Sequence, residues 1–230
     1  MAESIGRRKR PGSIFVLAGC NGAGKSSIGG AALRQSGAEY FNPDEAALRI
    51  ASANAGRRPP LTREQINSAA WNEGRRLLRR AIDEHRDFAF ETTLGGGTIT
   101  AMLLEAAQQA MSIHVWFAGL ASVELHIGRV RRRVEKGGHP IPEPAIRERF
   151  ERSRINLIRL VPHLAELYLH DNSAEGDPDA GAAPQPRLLL HVRERVIVRP
   201  SQLASLLADT PRWAKPIASA SIKLHLANKL

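Results

Sequence analysis

The chain has 230 residues, of which 43% are hydrophobic and 24% charged, an ordinary composition for a globular protein with a substantial core. Its single cysteine, Cys20, excludes an internal disulfide framework and fits a reducing compartment. A net charge of +10 favours anionic partners: nucleotides, sugar phosphates, nucleic acid or an acidic membrane surface. Charge alone does not choose among them.

A glycine-rich turn follows the first predicted strand and reads GCNGAGKSS from residue 19 onward. It fits the phosphate-loop (P-loop) pattern GxxxxGKS, whose backbone N–H groups surround a nucleotide's phosphates. We therefore predict that ATP and Mg²⁺ bind here, with Lys25 on the β/γ oxygens and Ser26 as the metal ligand. The predicted nucleotide-binding residues are Gly19, Asn21, Gly22, Ala23, Gly24, Lys25, Ser26 and Ser27. The stretch 25–34 lacks proline and can form a helix whose positive end points at the same phosphates.

The N-terminus imitates a lipoprotein signal peptide, with a basic cluster before an apolar run that ends in LAGC. The run from Ile14 to Leu17 is too short for an export core, and cleavage before Cys20 would destroy the phosphate loop. No stretch has the apolar length that a membrane span needs. We therefore expect a cytoplasmic protein with no membrane partner, whose residues 1–12 form a flexible basic tail.

The second predicted strand, 40–42, runs into the sequence FNPDE. Pro43 suits the first turn of a helix, and the acidic Asp44 and Glu45 lie where carboxylates favour its positive end. Asp44 also lies at the carboxyl edge of a strand, where it could deprotonate an acceptor hydroxyl. Capping is the ordinary role for such an acid, but beside a nucleotide site we favour catalysis.

A capping-box pattern at Thr62 and Gln65 predicts a long helix to about Glu84. Its apolar residues recur at helical spacing, so we expect Trp71 to lie in the core. Four arginines are expected on the solvated side of this helix: Arg75, Arg76, Arg79 and Arg80.

The third predicted strand, 88–90, is followed by Glu91, Thr92 and Thr93. These side chains would face the crevice at the carboxyl edge of the sheet, where open α/β folds bind ligands. Glu91 could hold the acceptor substrate or a Mg²⁺-bound water. The equally weighted alternative is an ordinary strand-end acid.

Two predicted helices carry most of the remaining arginines. The first runs from Ser122 to Lys136, the second begins at Pro142, and the turn between them contains GGHPIP. Arginine suits phosphate binding because its guanidinium is permanently charged and presents a fork of donors. We predict that a segment of about 129–150 forms a lid over phosphates. The alternative is a pair of solvated helical faces.

The alternation of strands and helices predicts an α/β, three-layer P-loop NTPase fold with a parallel sheet. Further strands are expected at 112–119 and 167–170, with a hairpin or two edge strands after residue 187. We assign the catalytic domain to residues 13–200 and a basic C-terminal extension to 201–230. ABC transporter ATPases also contain NGAGKS, but they need a strand that ends in aspartate. The corresponding strand here, SIHVWFAGL, has no carboxylate.

Five motifs in order resemble the zeta toxin family of P-loop kinases, in particular its small chromosomal branch. They are GCNGAGKS, FNPDE, FETTL, RVRRRVEKGGHPIPEPAIRERF and DNS, spread over residues 14–173. Cys20 stands where relatives usually have proline, at a position that offers mainly its backbone. The resemblance implies an adenylate-kinase-like core and a kinase that phosphorylates a sugar hydroxyl of UDP-N-acetylglucosamine.

The resemblance also implies roles for the matched residues. Lys25 and Ser26 would bind the nucleotide and Mg²⁺. Asp44 would act as the base, and Glu91 would help to bind the acceptor. Arginines around the GGH turn would stabilise the transferring phosphoryl group; for these we favour Arg129, Arg133, Arg147 and Arg149.

We therefore predict phosphoryl transfer from ATP to a hydroxyl of a small anionic acceptor such as a nucleotide sugar. The alternative is a nucleic-acid-associated ATPase that uses its basic surface to bind backbone phosphates. Aromatic residues make up only 5% of the chain and no groove-reading motif occurs, so stacking platforms for bases are few. Nucleic acid as a partner stays open, as does a neutralising antitoxin, because toxicity depends on a cellular context outside this chain.

Overall fold

The centre of the fold is a seven-stranded, mostly parallel sheet. A computed structural model describes residues 11–25, 28, 29, 33, 37–174 and 185–229. The strands are β1 (Ser13–Ala18), β2 (Glu39–Phe41), β3 (Phe88–Thr92), β4 (Ser112–Gly119), β5 (Glu166–Asp171), β6 (Arg187–Arg193) and β7 (Val196–Arg199). They lie in the order β2-β3-β1-β4-β5-β6-β7, and only the pairings of β6 with β5 and β7 are antiparallel. The predicted α/β class, the parallel sheet and the C-terminal hairpin are confirmed.

The helices follow the predicted boundaries closely. They are α1 (Pro43–Ala53), α2 (Arg63–Asp83), α3 (Gly97–Gln108), α4 (Val123–Glu135), α5 (Glu143–Leu160), α6 (Leu203–Asp209) and α7 (Lys215–Ala227), with a 3₁₀ turn at Val161–His163. The predicted capping box of α2 is present, since the Thr62 hydroxyl accepts from the Gln65 amide and the Gln65 side chain accepts from the Thr62 amide. None of the described helices is both long and apolar enough to span a bilayer.

Parts of three sequence predictions lie outside the described residues: the helix after the phosphate loop, the nucleotide-binding residues and the N-terminal tail. Of the helix predicted at 25–34, the structure describes Lys25, Ile28, Gly29 and Leu33. Ser26 and Ser27, and residues 1–10 of the predicted tail, are likewise outside the described part of the chain.

The main core lies between one face of the sheet and the helices. Ile14 and Val16 of β1 and Phe117 of β4 are almost completely buried in it. Trp213 and Ile217, from the segment predicted as a C-terminal extension, belong to the same core. That segment therefore packs onto the domain and contributes to its hydrophobic stabilisation.

The opposite face of the sheet carries stacked rings on β4, β5 and β6. The ring centroids of Trp116 and Tyr168 lie 5.3 Å apart, and those of Tyr168 and His191 lie 4.2 Å apart. Beside them the Glu166 carboxylate accepts hydrogen bonds from Tyr168 Oη at 2.9 Å and Arg193 Nε at 3.0 Å, and lies 2.8 Å from His191 Nε2. Burial opposes ionisation, but the hydrogen bonds from His191, Arg193 and Tyr168 lower the pKa of Glu166 to about 2.

Strand order determines where a ligand site can form. The chain leaves β1 toward β2 on one side and later returns to β4 on the other, so β1 lies between β3 and β4. Such a reversal opens a crevice at the carboxyl ends of the strands. The phosphate loop leaves β1 at this crevice.

Candidate active site

The phosphate loop is a tight turn held by its own backbone. Gly22 and Gly24 have φ angles of 79° and 74°, in the left-handed region that residues with a Cβ rarely adopt. The Ala23 amide donates to the Cys20 carbonyl at 3.1 Å. Burial raises the pKa of the Cys20 thiol to about 11, so this cysteine is a packing residue and not a nucleophile.

Lys25 lies at the end of this turn. Its ammonium donates to the Gly19 carbonyl at 3.2 Å. Burial lowers the pKa of Lys25, and the negative charges of Glu91 and Asp44 oppose that shift. Lys25 follows β1, Asp44 follows β2 and Glu91 lies near the end of β3, and these three strands are parallel, so the lysine and both carboxylates lie at the same edge of the sheet.

Asn42 organises the two predicted carboxylates. Its side-chain oxygen accepts from the Asp44 amide at 2.8 Å and caps α1, so Asn42 supplies the cap. Its side-chain nitrogen donates to Glu91 at 3.1 Å, and the Tyr40 hydroxyl donates to the same carboxylate oxygen at 2.5 Å. The Asp44 side chain is 76% exposed and lies 4.0 Å from the Arg133 guanidinium.

Thr92 is the last residue of β3, and Thr93 begins the turn that follows. The Thr92 hydroxyl accepts from the Leu94 amide at 3.0 Å, and the Thr93 hydroxyl accepts from the Gly95 amide at 3.4 Å. Both threonines line the cavity described below. A Cβ on Gly95 would come within 2.8 Å of Arg149 Cγ. The glycine therefore leaves room for the aliphatic part of the Arg149 side chain to pack against this turn.

Two of the four predicted arginines, Arg133 and Arg149, reach the site. Arg133 donates to the His139 carbonyl of the lid turn at 2.9 Å, and Arg149 donates to the Asn21 side chain at 2.8 Å. Both line the cavity. The Nε of Arg133 is buried, and no described residue provides it with a hydrogen-bond partner.

The structure does not bring Arg129 and Arg147 to the cavity. Arg129 donates to the Ala174 carbonyl at 3.1 Å, beyond the end of β5. Arg147 pairs with Glu124 at 3.1 Å on the exposed surface between α4 and α5. The cavity therefore contains two of the four predicted arginines, and their joint role stays a prediction.

A cavity of about 800 Å³ connects these groups, within the size range of small-molecule sites. Asn21, the first turn of α1, the end of β3 and the lid turn 139–142 form part of its wall. Helix α2 forms another part, through side chains that recur every four residues: Arg63, Asn67, Trp71 and Arg75.

The prediction that Trp71 belongs to the core is wrong. Its side chain is 46% exposed, and the Arg75 guanidinium lies 5.1 Å from the centre of its ring. Consecutive helical residues point about 100° apart, and it is the preceding residue, Ala70, that faces the core. The sequence signal was a Trp–Arg pair spaced four residues apart, which suits a cation–π contact on a helix surface.

The described residues fit a nucleotide with its metal. Glycines with left-handed backbone let the loop approach an anion closely, and the ammonium of the half-buried Lys25 is available beside it. Among the residues that the structure describes, no cluster of three or more His, Cys, Asp or Glu could hold a metal ion. Mg²⁺ in kinases is held by phosphate oxygens, water and one or two protein groups, so no such cluster is needed. Asp44 and Glu91 are the described carboxylates beside the loop, and Ser26 is outside the described residues.

The strand order, the glycine turn after β1 and the arginine-bearing helix pair define a P-loop protein of the kinase fold. The family model of the zeta toxins matches residues 2–167. This chain belongs to the zeta toxin family. It is also 28% identical over 141 residues to an uncharacterized protein of Haemophilus influenzae, across 60% of this chain and 91% of that protein.

Solved structures of similar fold include a two-protein complex and a protein of a toxin-antitoxin system. The AvrRxo1-ORF1:-ORF2 complex superposes with a TM-score of 0.61 at 16% identity, covering 93% of this chain and 76% of that one. A structure from the PezAT chromosomal toxin-antitoxin system of Streptococcus pneumoniae gives a TM-score of 0.54 at 12% identity, covering 95% and 88%. At these identities the likeness concerns the fold.

Proposed function

We propose that the protein is a kinase that transfers the γ-phosphoryl group of ATP to a hydroxyl of UDP-N-acetylglucosamine or a related nucleotide sugar. One observation carries the proposal. The exposed Asp44 carboxylate and the cavity-lining Arg133 lie 4.0 Å apart, on the same sheet edge as the half-buried Lys25. A base and a lid arginine therefore line one cavity, and Asn21 of the loop that ends in the phosphate-binding Lys25 lines it too.

Each group has a distinct part in the transfer. Asp44 accepts the proton of the acceptor hydroxyl as its oxygen forms a bond to the γ-phosphorus. The bond from that phosphorus to the bridging oxygen breaks, and ADP leaves. Lys25, Arg133 and Arg149 offset the negative charge on the phosphates. Mg²⁺, when bound, would supply further neutralisation of the triphosphate charge.

The cavity wall formed by α2 supports an acceptor with a planar ring and negative charge. Trp71 offers a large exposed ring surface, on which a heterocycle can stack. Arg63 and Arg75 line the same wall and can pair with phosphate oxygens. Glu91, held by Tyr40 and Asn42, can accept hydrogen bonds from sugar hydroxyls.

The structural neighbours support ATP and a protein partner. One structure of similar fold is described as AvrRxo1-ORF1:-ORF2 with ATP and has a TM-score of 0.61, with this chain spanning 63% of that chain. The PezAT neighbour belongs to a toxin-antitoxin system. We propose that this chain likewise binds ATP and has an antitoxin as its protein partner. We also propose that it acts in the cytoplasm. The alternative of a nucleic-acid-associated ATPase is not favoured, because the cavity has the size of a small-molecule site and its lining includes both a carboxylate and arginines.

The test is to incubate the protein with γ-labelled ATP, Mg²⁺ and a panel of nucleotide sugars, nucleotides and RNA. We expect label on a nucleotide sugar, and loss of labelling in Lys25→Ala. Lys215→Ala, which removes an exposed lysine at the start of α7, is the matched control and should label normally. Label on none of the small acceptors would overturn the proposal.

A further inference from the structure

The carbonyl groups of the phosphate loop need partners that the nucleotide cannot supply. In such a loop the N–H groups point at the bound phosphates, so carbonyls point away into the protein. A buried carbonyl without a hydrogen bond is costly. Two of these carbonyls, those of Asn21 and Ala23, are bound by side chains from distant parts of the chain: His126 on α4 and Asn172 after β5.

His126 is 1% exposed, and its Nδ1 lies 2.7 Å from the Asn21 carbonyl oxygen. Since a carbonyl only accepts, this ring nitrogen carries the proton and donates it. Burial lowers the pKa of His126 to about 4, so the ring is neutral at physiological pH and its tautomer is set by this contact. The edge of the ring packs against Phe150 of α5, with centroids 5.4 Å apart. The histidine is thus fixed between the two lid helices.

Asn172 is 2% exposed, and its side-chain nitrogen donates to the Ala23 carbonyl at 2.9 Å. Its backbone amide donates to the Gly119 carbonyl at the end of β4 at 3.0 Å, which anchors the residue to the sheet. Its side-chain oxygen is buried and accepts no hydrogen bond from the described part of the chain. The side-chain amide of Asn172 therefore has one evident function in this structure, which is to hold the phosphate loop.

We propose that His126 and Asn172 are positioning residues for ATP binding, which hold the carbonyls of residues 21 and 23 outward and keep the loop in its anion-binding shape before nucleotide arrives. Neither side chain needs to touch the nucleotide. Without them the loop adopts other conformations. The apparent affinity for ATP then falls in proportion to the fraction of molecules whose loop keeps the binding conformation. The inference rests on the proposed function only in taking this loop as the nucleotide site.

The test uses His126→Leu, which removes the donor, and His126→Asn, which keeps an N–H donor near the position of Nδ1. Binding of ADP with Mg²⁺ is measured by calorimetry, together with thermal unfolding. We expect His126→Leu to bind ADP about tenfold or more weakly and His126→Asn to stay within about threefold of wild type. Asn172→Leu should weaken binding as His126→Leu does. In kinase assays the KM for ATP should rise, while the acceptor KM and the kcat at saturating ATP change little.

A buried histidine elsewhere provides the matched control. His225 on α7 is 5% exposed, and its Nδ1 accepts from the Ile197 amide at 3.1 Å. His225→Leu should lower the unfolding temperature and leave ADP affinity unchanged. The inference is wrong if His126→Leu binds ADP like wild type, or if His225→Leu weakens binding as strongly. If wild type bound no ADP, the proposed function would fail as well. If it bound ADP but phosphorylated no acceptor, the proposed function alone would fail.

Discussion

The phosphate loop and the acceptor cavity lie side by side, yet they are organised differently. In the loop, the carbonyls of Asn21 and Ala23 are already bound by buried side chains. In the cavity, the Asp44 side chain is 76% exposed, and the buried Nε of Arg133 finds no partner among the described residues. The described part of the loop is therefore held in shape by the protein itself, whereas the cavity keeps an exposed carboxylate and a donor left unpaired by the described residues, to which substrates could bind.

The largest effect is expected at the proposed base. Asp44→Asn removes the proton acceptor but keeps the size of the side chain, so phosphoryl transfer should fall by about 10,000-fold. ADP affinity should change little, because the loop is untouched. Glu45→Gln neutralises the neighbouring acid of the same helical turn and is the control. Wild-type turnover by purified Asp44→Asn would remove Asp44 from the mechanism.

The next largest effect separates the arginines that line the cavity from those that do not. Arg133→Ala should slow transfer on the order of a thousandfold, because a positive charge next to the transferring group is lost. Arg147→Ala should change the rate less than about twofold, since Arg147 pairs with Glu124 on the surface. Initial rates at saturating ATP measure both. Equal losses in the two variants would mean that Arg147 moves into the site on closure.

A smaller effect is expected at the cavity wall. Trp71→Ala removes the proposed stacking surface, so the acceptor KM should rise about tenfold. The KM for ATP should stay unchanged, since Trp71 lies on the cavity wall that we assign to the acceptor. The core residue Leu78 of the same helix offers the contrast, because Leu78→Ala should lower stability without a selective change in acceptor KM. An unchanged acceptor KM in Trp71→Ala would argue against an acceptor that stacks there.

The smallest effect lies far from the site and concerns pH. The folded pKa of Glu166 is about 2, below its ordinary 4.5, so the ionised carboxylate stabilises the fold above pH 4.5 and this contribution is lost as pH falls toward 2. Glu166→Gln should be less stable than wild type at pH 7, on the order of 2 kcal/mol. Urea unfolding from pH 7 to 3 should show the difference shrinking. A constant difference would mean that the charge contributes nothing.

The sequence alone was sufficient to predict the residues that lie within contiguous motifs at strand ends. Lys25, Asp44 and Glu91 were placed together because parallel strands bring their carboxyl ends to one edge. His126 could not be found in this way, and Asn172 was recognised only as part of the DNS motif without its contact, since their partners in the loop lie 105 and 149 positions away in the chain. Such pairings depend on tertiary packing that no local pattern encodes.

The arginines show the same limit. Arg129 and Arg133 are four residues apart and share a face of α4, so periodicity treats them alike. Only the placement of the helix takes Arg133 into the cavity and Arg129 past its end, toward Ala174. The Trp71 prediction failed for a related reason. Trp71 lies at the border of the apolar stripe of α2, and helical spacing does not determine whether a residue at that border faces the core or the solvent.

Phosphorus NMR of the wild-type protein with ATP, Mg²⁺ and UDP-N-acetylglucosamine tests phosphoryl transfer most directly. We expect a new phosphomonoester resonance that grows in step with ADP, with little inorganic phosphate. Formation of ADP and inorganic phosphate alone, with no phosphorylated sugar nucleotide, would contradict kinase activity on this acceptor.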